Sequence, residues 1–82
     1  MNVSHQRVLE IIRQFVAHKQ GPAARPIAPD TLLLQDGHLD SFALVELIAE
    51  LERQLPATLP DGSLIPEDFE TPQTLCERLE QL

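Results

Sequence analysis

Apolar residues recur at helical spacing in three stretches of the chain, which indicates three amphipathic α-helices. In the first stretch, residues 4–19, the apolar side consists of Val8, Leu9, Ile11, Ile12, Phe15 and Val16. In the second, residues 41–55, it consists of Leu44, Leu47, Ile48, Leu51 and Leu55. In the third, which begins after Thr71, it consists of Leu75, Leu79 and Leu82. Each helix therefore has one side suited to a shared core.

Capping and helix-breaking residues set the limits of these helices. Gly21 follows the first helix, and glycine is favoured just past a helix end. Asp40 precedes the second helix as an acidic N-cap, and Pro56 stops that helix. Thr71 is the predicted N-cap of the third helix, with Pro72 at the first helical position, where the missing N–H group has no intrahelical acceptor.

The connection over residues 21–39 is long for a compact domain, and loops of this length are usually functional or disordered. It contains five large apolar residues, Ile27, Leu32, Leu33, Leu34 and Leu39. Because such residues avoid water, we expect the loop to lie across the ends of the helices. Asp30 is a candidate cap for a single helical turn that continues through Leu34.

The second connection carries turn residues followed by apolar anchors. The Pro-Asp-Gly sequence at residues 60–62 predicts a turn, and Leu64 and Ile65 are expected to contact the core. Pro66 predicts a short helix over Pro66–Phe69. With no strand pattern and no internal repeat, the predicted class is all-α, with three longer helices, one short helix and a long first loop, in a single domain over residues 1–82.

The charge of the chain is strongly negative and unevenly distributed. The 82 residues contain thirteen Asp and Glu against six Lys and Arg, which gives a net charge of −7. Residues 36–70 hold nine acidic groups and one basic group, whereas residues 1–35 hold four basic and two acidic groups. This balance argues against nucleic acid and anionic membrane surfaces as partners, and it favours proteins with a basic surface.

The sequence contains no sign of secretion, membrane insertion or metal binding. Cys76 is the single cysteine, so no disulfide can form within the chain, and its place beside the apolar stripe of the third helix predicts a buried thiol. The longest unbroken apolar run comprises four residues, 42–45, too few for a signal peptide or a membrane span. The three histidines lack ligand spacing. We expect a cytoplasmic monomer without a metal site.

The side of the second helix opposite its apolar stripe is unusual for a solvated face. It opens with Phe42 and Val45, close to Ser41 at the first helical position. Free backbone N–H groups and the positive end of the helix dipole favour a phosphate at this position. The arrangement predicts a docking surface around a modifiable hydroxyl group.

Three segments around this helix resemble a known family. They are Leu39-Asp40-Ser41-Phe42, Val45-Glu46-Leu47-Ile48 and Leu51-Glu52. Together they resemble the phosphopantetheine-attachment region of acyl carrier proteins, commonly D-S-L-x-x-V-E-L-x-x-x-L-E. The order of helices and loops resembles that family along nearly the whole chain. The resemblance implies a four-helix bundle of the acyl carrier protein type.

By this resemblance, Ser41 would receive 4'-phosphopantetheine from coenzyme A through a phosphopantetheinyl transferase, and Asp40 matches the residue before the attachment serine. The arm would carry an acyl or aminoacyl group as a thioester. Its loading would need an adenylating ligase, a synthase or an acyltransferase with a basic docking patch. The expected partner-binding residues are Phe42, Val45, Glu46, Ala49, Glu50 and Glu52. The resemblance implies a carrier that is not itself an enzyme.

Departures from fatty-acid carriers point to a subgroup of the family. Ala43 stands where those carriers often have Asp, and Ala49 where they often have Met. The spacing over residues 37–41 and the segment 68–72 look more like discrete carriers of D-alanine or of building blocks for specialised metabolites. A D-alanyl, other amino-acid or peptidyl carrier loaded by a separate adenylating ligase is therefore the alternative within this class.

Two functions of other classes remain open on sequence grounds. One is an unmodified, acidic helical interaction module that binds a basic partner through Phe42 and Val45. The other, less favoured, is an enzyme that uses His38 and Ser41. The Gly-x-Ser-x-Gly elbow is absent, and closeness in sequence does not establish the geometry of a catalytic triad.

Overall fold

The computed structural model describes residues 3–55, residue 59 and residues 62–82. These residues contain three α-helices, α1 (His5–Gln20), α2 (Ser41–Gln54) and α3 (Pro72–Gln81), and no β-strand. Single 3-10 turns lie at Gly21–Ala23 and Pro66–Phe69. The predicted all-α class is confirmed. The short helix predicted over residues 66–69 is one turn with 3-10 geometry, because no longer run of helix-forming residues follows Pro66 before Pro72.

Local side-chain contacts explain where α1 and α3 begin. The Ser4 hydroxyl accepts a hydrogen bond from the Arg7 N–H at 3.2 Å, and α1 starts directly after it. The Thr71 hydroxyl accepts from the Thr74 N–H at 3.0 Å, which confirms the predicted cap of α3. Gly21 follows α1 with φ of 59°, in the left-handed region that favours glycine. The ends of these helices are therefore determined by nearby residues.

Some predicted breaks lie outside the described residues. α2 ends at Gln54, and Pro56, which was predicted to stop it, is not among the residues that the structure describes. The same holds for residues 60–61 of the predicted turn. Gly62, the last residue of that turn, has φ of 73°, as expected for a glycine in a tight turn.

The core is formed where α1 packs against α2 and α3. Its fully buried side chains include Val8, Ile11, Ile12, Leu33, Leu47, Leu51, Phe69, Leu75 and Leu79. Cys76 is also buried, as predicted. Burial raises the pKa of its thiol to about 11, and the nearby Glu80 and Glu77 carboxylates add to the shift. The thiol therefore stays protonated and unreactive at neutral pH.

One predicted core contact is wrong. Leu64 packs against the core, but the side chain of Ile65 is 52% exposed. Ile65 has an extended backbone, and successive side chains of an extended segment point to opposite sides. Since Leu64 points inward, Ile65 points to solvent.

The first loop packs against the core, as its apolar residues predict, but it runs beside the middle of α1, where the Arg13 side chain donates to the Ile27 carbonyl at 2.8 Å, and was not predicted to do so. Its residues Ile27, Leu33 and Leu39 are buried. Backbone hydrogen bonds tie the loop to the segment before α3, from the Leu33 N–H to the Glu70 carbonyl at 2.9 Å, and to the first turn of α3, from the Gln73 N–H to the Pro29 carbonyl at 3.0 Å. The loop is therefore part of the folded structure.

Asp30 does not cap a helical turn, so that prediction is wrong. The Thr31 hydroxyl accepts the N–H of Ala28 at 2.7 Å and forms a local turn around Asp30. A helical turn forms later in the loop, where the Asp36 N–H donates to the Leu32 carbonyl at 3.1 Å. The Leu33 N–H, which a cap at Asp30 would have bound, donates instead to the Glu70 carbonyl at 2.9 Å, so a contact with a distant part of the chain replaces the predicted cap.

Candidate functional site

Ser41 is the first residue of α2, and its side chain is exposed. Asp40 precedes it with extended backbone, and the Asp40 Oδ1 atom accepts the N–H of Ala43 at 2.7 Å. The predicted N-cap is confirmed. The first N–H groups of an α-helix have no intrahelical acceptors, so those of Ser41 and Phe42 are free to face a phosphate on the Ser41 hydroxyl.

The Asp40 cap can be tested by its effect on stability. Asp40→Ala should lower the free energy of unfolding by about 1 kcal/mol, because the Ala43 N–H loses its acceptor. Asp40→Asn should keep most of that stability, since its amide oxygen can accept the same bond. Urea denaturation followed by circular dichroism measures both values. Asp30→Ala in the exposed part of the loop is the control, and an equal loss in that variant would contradict the role of the Asp40 cap.

The six residues expected to contact partners lie along one outer side of α2, which we call the α2 face: Phe42, Val45, Glu46, Ala49, Glu50 and Glu52. The side chain of Phe42 is 73% exposed and that of Val45 is 67% exposed. Ala49 and Glu52 are also exposed. The α2 face therefore presents an apolar centre to solvent next to Ser41, an arrangement typical of a surface that another protein covers.

Two of the acidic groups in the α2 face are paired within the chain. Glu46 forms an ion pair with Lys19 of α1, and Glu50 forms one with Arg53. Hydrogen bonds from the Arg53 guanidinium lower the pKa of the Glu50 carboxyl. Glu52 makes no ion pair with any residue in the described ranges. The free negative charge of this face is thus smaller than the sequence indicated.

Lys19 belongs to this surface although sequence reasoning did not identify it. Its Nζ atom lies 6.0 Å from the centroid of the Phe42 ring and 5.9 Å from that of Phe15. The spacing of Phe15 and Lys19 along the chain shows that they share a face of α1. This spacing does not predict which residue of α2 lies next to Lys19, because that depends on how α1 and α2 pack.

A groove of about 630 Å³ runs beside Ser41 between the end of α1 and the start of α2. Its lining includes Leu34, Gly37, His38, Leu39, Phe42 and Glu46. The Gln20 side-chain amide holds its wall by donating to the His38 carbonyl at 3.0 Å and to the Gly37 carbonyl at 3.3 Å. An exposed hydroxyl beside an open groove suits a long, flexible group attached at Ser41.

His38 and Ser41 do not form a catalytic pair. The side chain of His38 is 5% exposed, whereas Ser41 faces solvent. The His38 Nδ1 atom has no hydrogen-bond partner among the residues that the structure describes. In the same residues, no group of three or more His, Cys, Asp or Glu side chains could hold a metal ion. The arrangement therefore supports attachment and docking.

The comparisons with known proteins agree with this site. The family described as "Phosphopantetheine attachment site" matches residues 6–79, so the chain belongs to this family of phosphopantetheine-binding carrier proteins. Its cofactor is accordingly a covalently attached 4'-phosphopantetheine. The residues present fit that group, because Ser41 offers an exposed hydroxyl at a helix start and the adjoining groove leaves room for the arm.

Several curated relatives have the same printed name. The chain is 36% identical over 77 residues to the D-alanyl carrier protein of Listeria welshimeri, a match that covers 94% of each chain. It is 32% identical to that of Bacillus velezensis and 33% identical to that of Bacillus pumilus, each over 54 residues that cover 66% of this chain and 69% of the relative. No solved structure is a significant match.

Proposed function

We propose that this protein carries an acyl or aminoacyl group as a thioester on a 4'-phosphopantetheine arm attached to Ser41, and presents it to partner enzymes. The observation that carries the proposal is the exposed Ser41 hydroxyl at the start of α2, beside an open groove, in a chain whose family attaches this cofactor. The arm supplies the thiol that holds the cargo. The chain itself supplies the attachment point, the helix start that favours phosphate, and the surface that partners contact.

D-alanine, or another amino acid, is the cargo that we favour. The relatives covered over most of their length are D-alanyl carrier proteins, and Ala43 and Ala49 depart from the residues common in fatty-acid carriers. An amino acid needs activation before it can form a thioester. A separate adenylating ligase is therefore the loading partner in this proposal, and a synthase or acyltransferase would take that place if the cargo were a fatty acyl group.

The proposed partners dock on the α2 face. Phe42 and Val45 form its apolar centre, and Glu52, which pairs with no basic group among the described residues, contributes negative charge at its edge. This combination fits an enzyme that has a basic patch around an apolar pocket. Within the described ranges, none of the helices has the length and apolar character needed to cross a membrane. We propose a cytoplasmic monomer with a single carrier domain over residues 1–82.

Intact-mass measurement tests the proposal in two stages. Incubated with coenzyme A, magnesium and a broad-specificity phosphopantetheinyl transferase, the protein should gain the mass of one arm, and peptide mapping should place it on Ser41. The armed protein is then offered D-alanine and ATP with a D-alanine-adenylating ligase, or a fatty acid with an acyl-adenylating ligase. We expect the aminoacyl thioester to form faster.

The outcomes separate the candidate functions. A protein that gains no arm, while a known carrier in the same tube does, would support the unmodified interaction module. An arm on Ser41 together with faster loading of the fatty acid would support the acyl alternative. A sample without coenzyme A is the control for adventitious mass changes.

A further inference from the structure

The Lys19 ammonium contacts two members of the α2 face. It forms an ion pair with the Glu46 carboxylate and lies 6.0 Å from the centroid of the Phe42 ring. A cation at about 6 Å from an aromatic centroid is attracted by the negative face of the ring. One cation of α1 therefore binds both an acidic and an aromatic member of the α2 face.

The same ion pair lies where two grooves meet. Lys19 and Glu46 line the groove of about 630 Å³ beside Ser41, and they also line a second groove of about 460 Å³ that continues between α1 and α2. The second groove is further lined by His18, Ala49 and three other residues. A protein that covers Ser41 and the α2 face has to contact this junction.

The pair is exposed enough to be exchanged. The side chain of Lys19 is 38% exposed and that of Glu46 is 37% exposed, and ion pairs in such positions are weak and screened by salt. An arginine from another protein has two advantages over Lys19. Its guanidinium can bind a carboxylate through two N–H groups and can stack flat on an aromatic ring.

We propose that Lys19 competes with a cation of the docking enzyme for the Glu46 carboxylate and the Phe42 ring. The partner presents an arginine flanked by apolar side chains. This arginine binds the Glu46 carboxylate and stacks on the Phe42 ring, while the Lys19 ammonium moves into solvent. The inference rests on the proposed function and names the chemistry of the partner surface. Lys19 then determines specificity, because a partner without a suitable cation cannot displace it.

Kinetics of Ser41 modification test this competition. Lys19→Gln should raise kcat/KM of the phosphopantetheinyl transferase by about threefold to thirtyfold at low salt, the range that corresponds to an exposed ion pair together with an exposed cation–π contact. The rate should also fall more steeply as salt is added, because the unpaired Glu46 then attracts the enzyme. Lys19→Arg should leave the rate at or below that of the wild type.

Matched variants separate competition from overall charge. Arg7→Gln makes the same change of charge on an exposed residue of α1, about 18 Å from Lys19 along the helix axis, and should raise the rate by less than about twofold. In a Glu46→Gln background, the gain from Lys19→Gln should largely disappear, because the two residues act on the same interaction. Urea denaturation confirms that each variant is folded.

The failures can be told apart. An unchanged or lower rate for Lys19→Gln, or a rise equal to that of Arg7→Gln, would overturn the competition while leaving the carrier function in place. A wild-type protein that never gains an arm on Ser41 would overturn the carrier function and the competition together.

Discussion

Ser41→Ala should abolish attachment of the phosphopantetheine arm to below detection while leaving the fold intact. The substitution removes the proposed oxygen nucleophile, and the exposed position at the start of α2 makes few contacts that stabilise the protein. We expect the free energy of unfolding to change by less than about 0.5 kcal/mol. Intact mass after incubation with coenzyme A and the transferase measures the first effect, and urea denaturation the second.

Ser63→Ala is the matched control for this experiment. Ser63 is half-buried and lies outside the three α-helices, so its replacement should leave attachment unchanged. Residual modification of the Ser41→Ala protein at the wild-type rate would show that another hydroxyl is the attachment point. Loss of modification in both variants would point to a general defect of folding or docking.

Phe69→Ala should destabilise the protein by about 3–5 kcal/mol. The Phe69 side chain is 1% exposed and belongs to the core, so its removal leaves a cavity that the backbone of the Pro66–Phe69 turn cannot fill. A domain of this size has a total stability of roughly 4–12 kcal/mol, so the variant should lose at least about a quarter of its stability. Urea denaturation followed by circular dichroism measures the loss.

Phe42→Ala is the matched control on the surface. The Phe42 side chain is 73% exposed, so its removal should lower the free energy of unfolding by less than about 1 kcal/mol, mainly through the lost contact with Lys19. Its effect should appear instead as a lower kcat/KM of the transferase. Equal losses of stability in the two Phe variants would contradict the placement of one ring in the core and the other on the surface.

Much of this fold could be predicted from the sequence because its signals are local. The helical spacing of apolar residues identified α1, α2 and α3. The predicted Asp40 and Thr71 caps are confirmed by hydrogen bonds to the N–H groups three residues further along the chain. Such signals depend on backbone geometry and on neighbours within one helical turn. Ser41, the proposed attachment residue, was prominent for the same reason, since it stands directly after the Asp40 cap.

The errors arose where a local signal did not decide the contact. At Asp30, the Leu33 N–H that the cap would have bound donates to the Glu70 carbonyl, and at Ile65 the extended backbone pointed the side chain outward because Leu64 already pointed inward. The residue types at Asp30 and Ile65 are compatible with both the predicted and the observed arrangement. The choice is made by the contacts that the rest of the chain provides.

By itself, the sequence determined the three helices, the caps of α2 and α3, the exposed serine and the family, because all of these depend on residues close together in the chain. Tertiary structure alone decided the charge and shape around that serine. The pairing of Glu46 with Lys19, the position of the Lys19 ammonium near Phe42 and the groove between α1 and α2 all join residues more than twenty positions apart. Such contacts depend on how α1 packs against α2, which helical periodicity leaves undetermined.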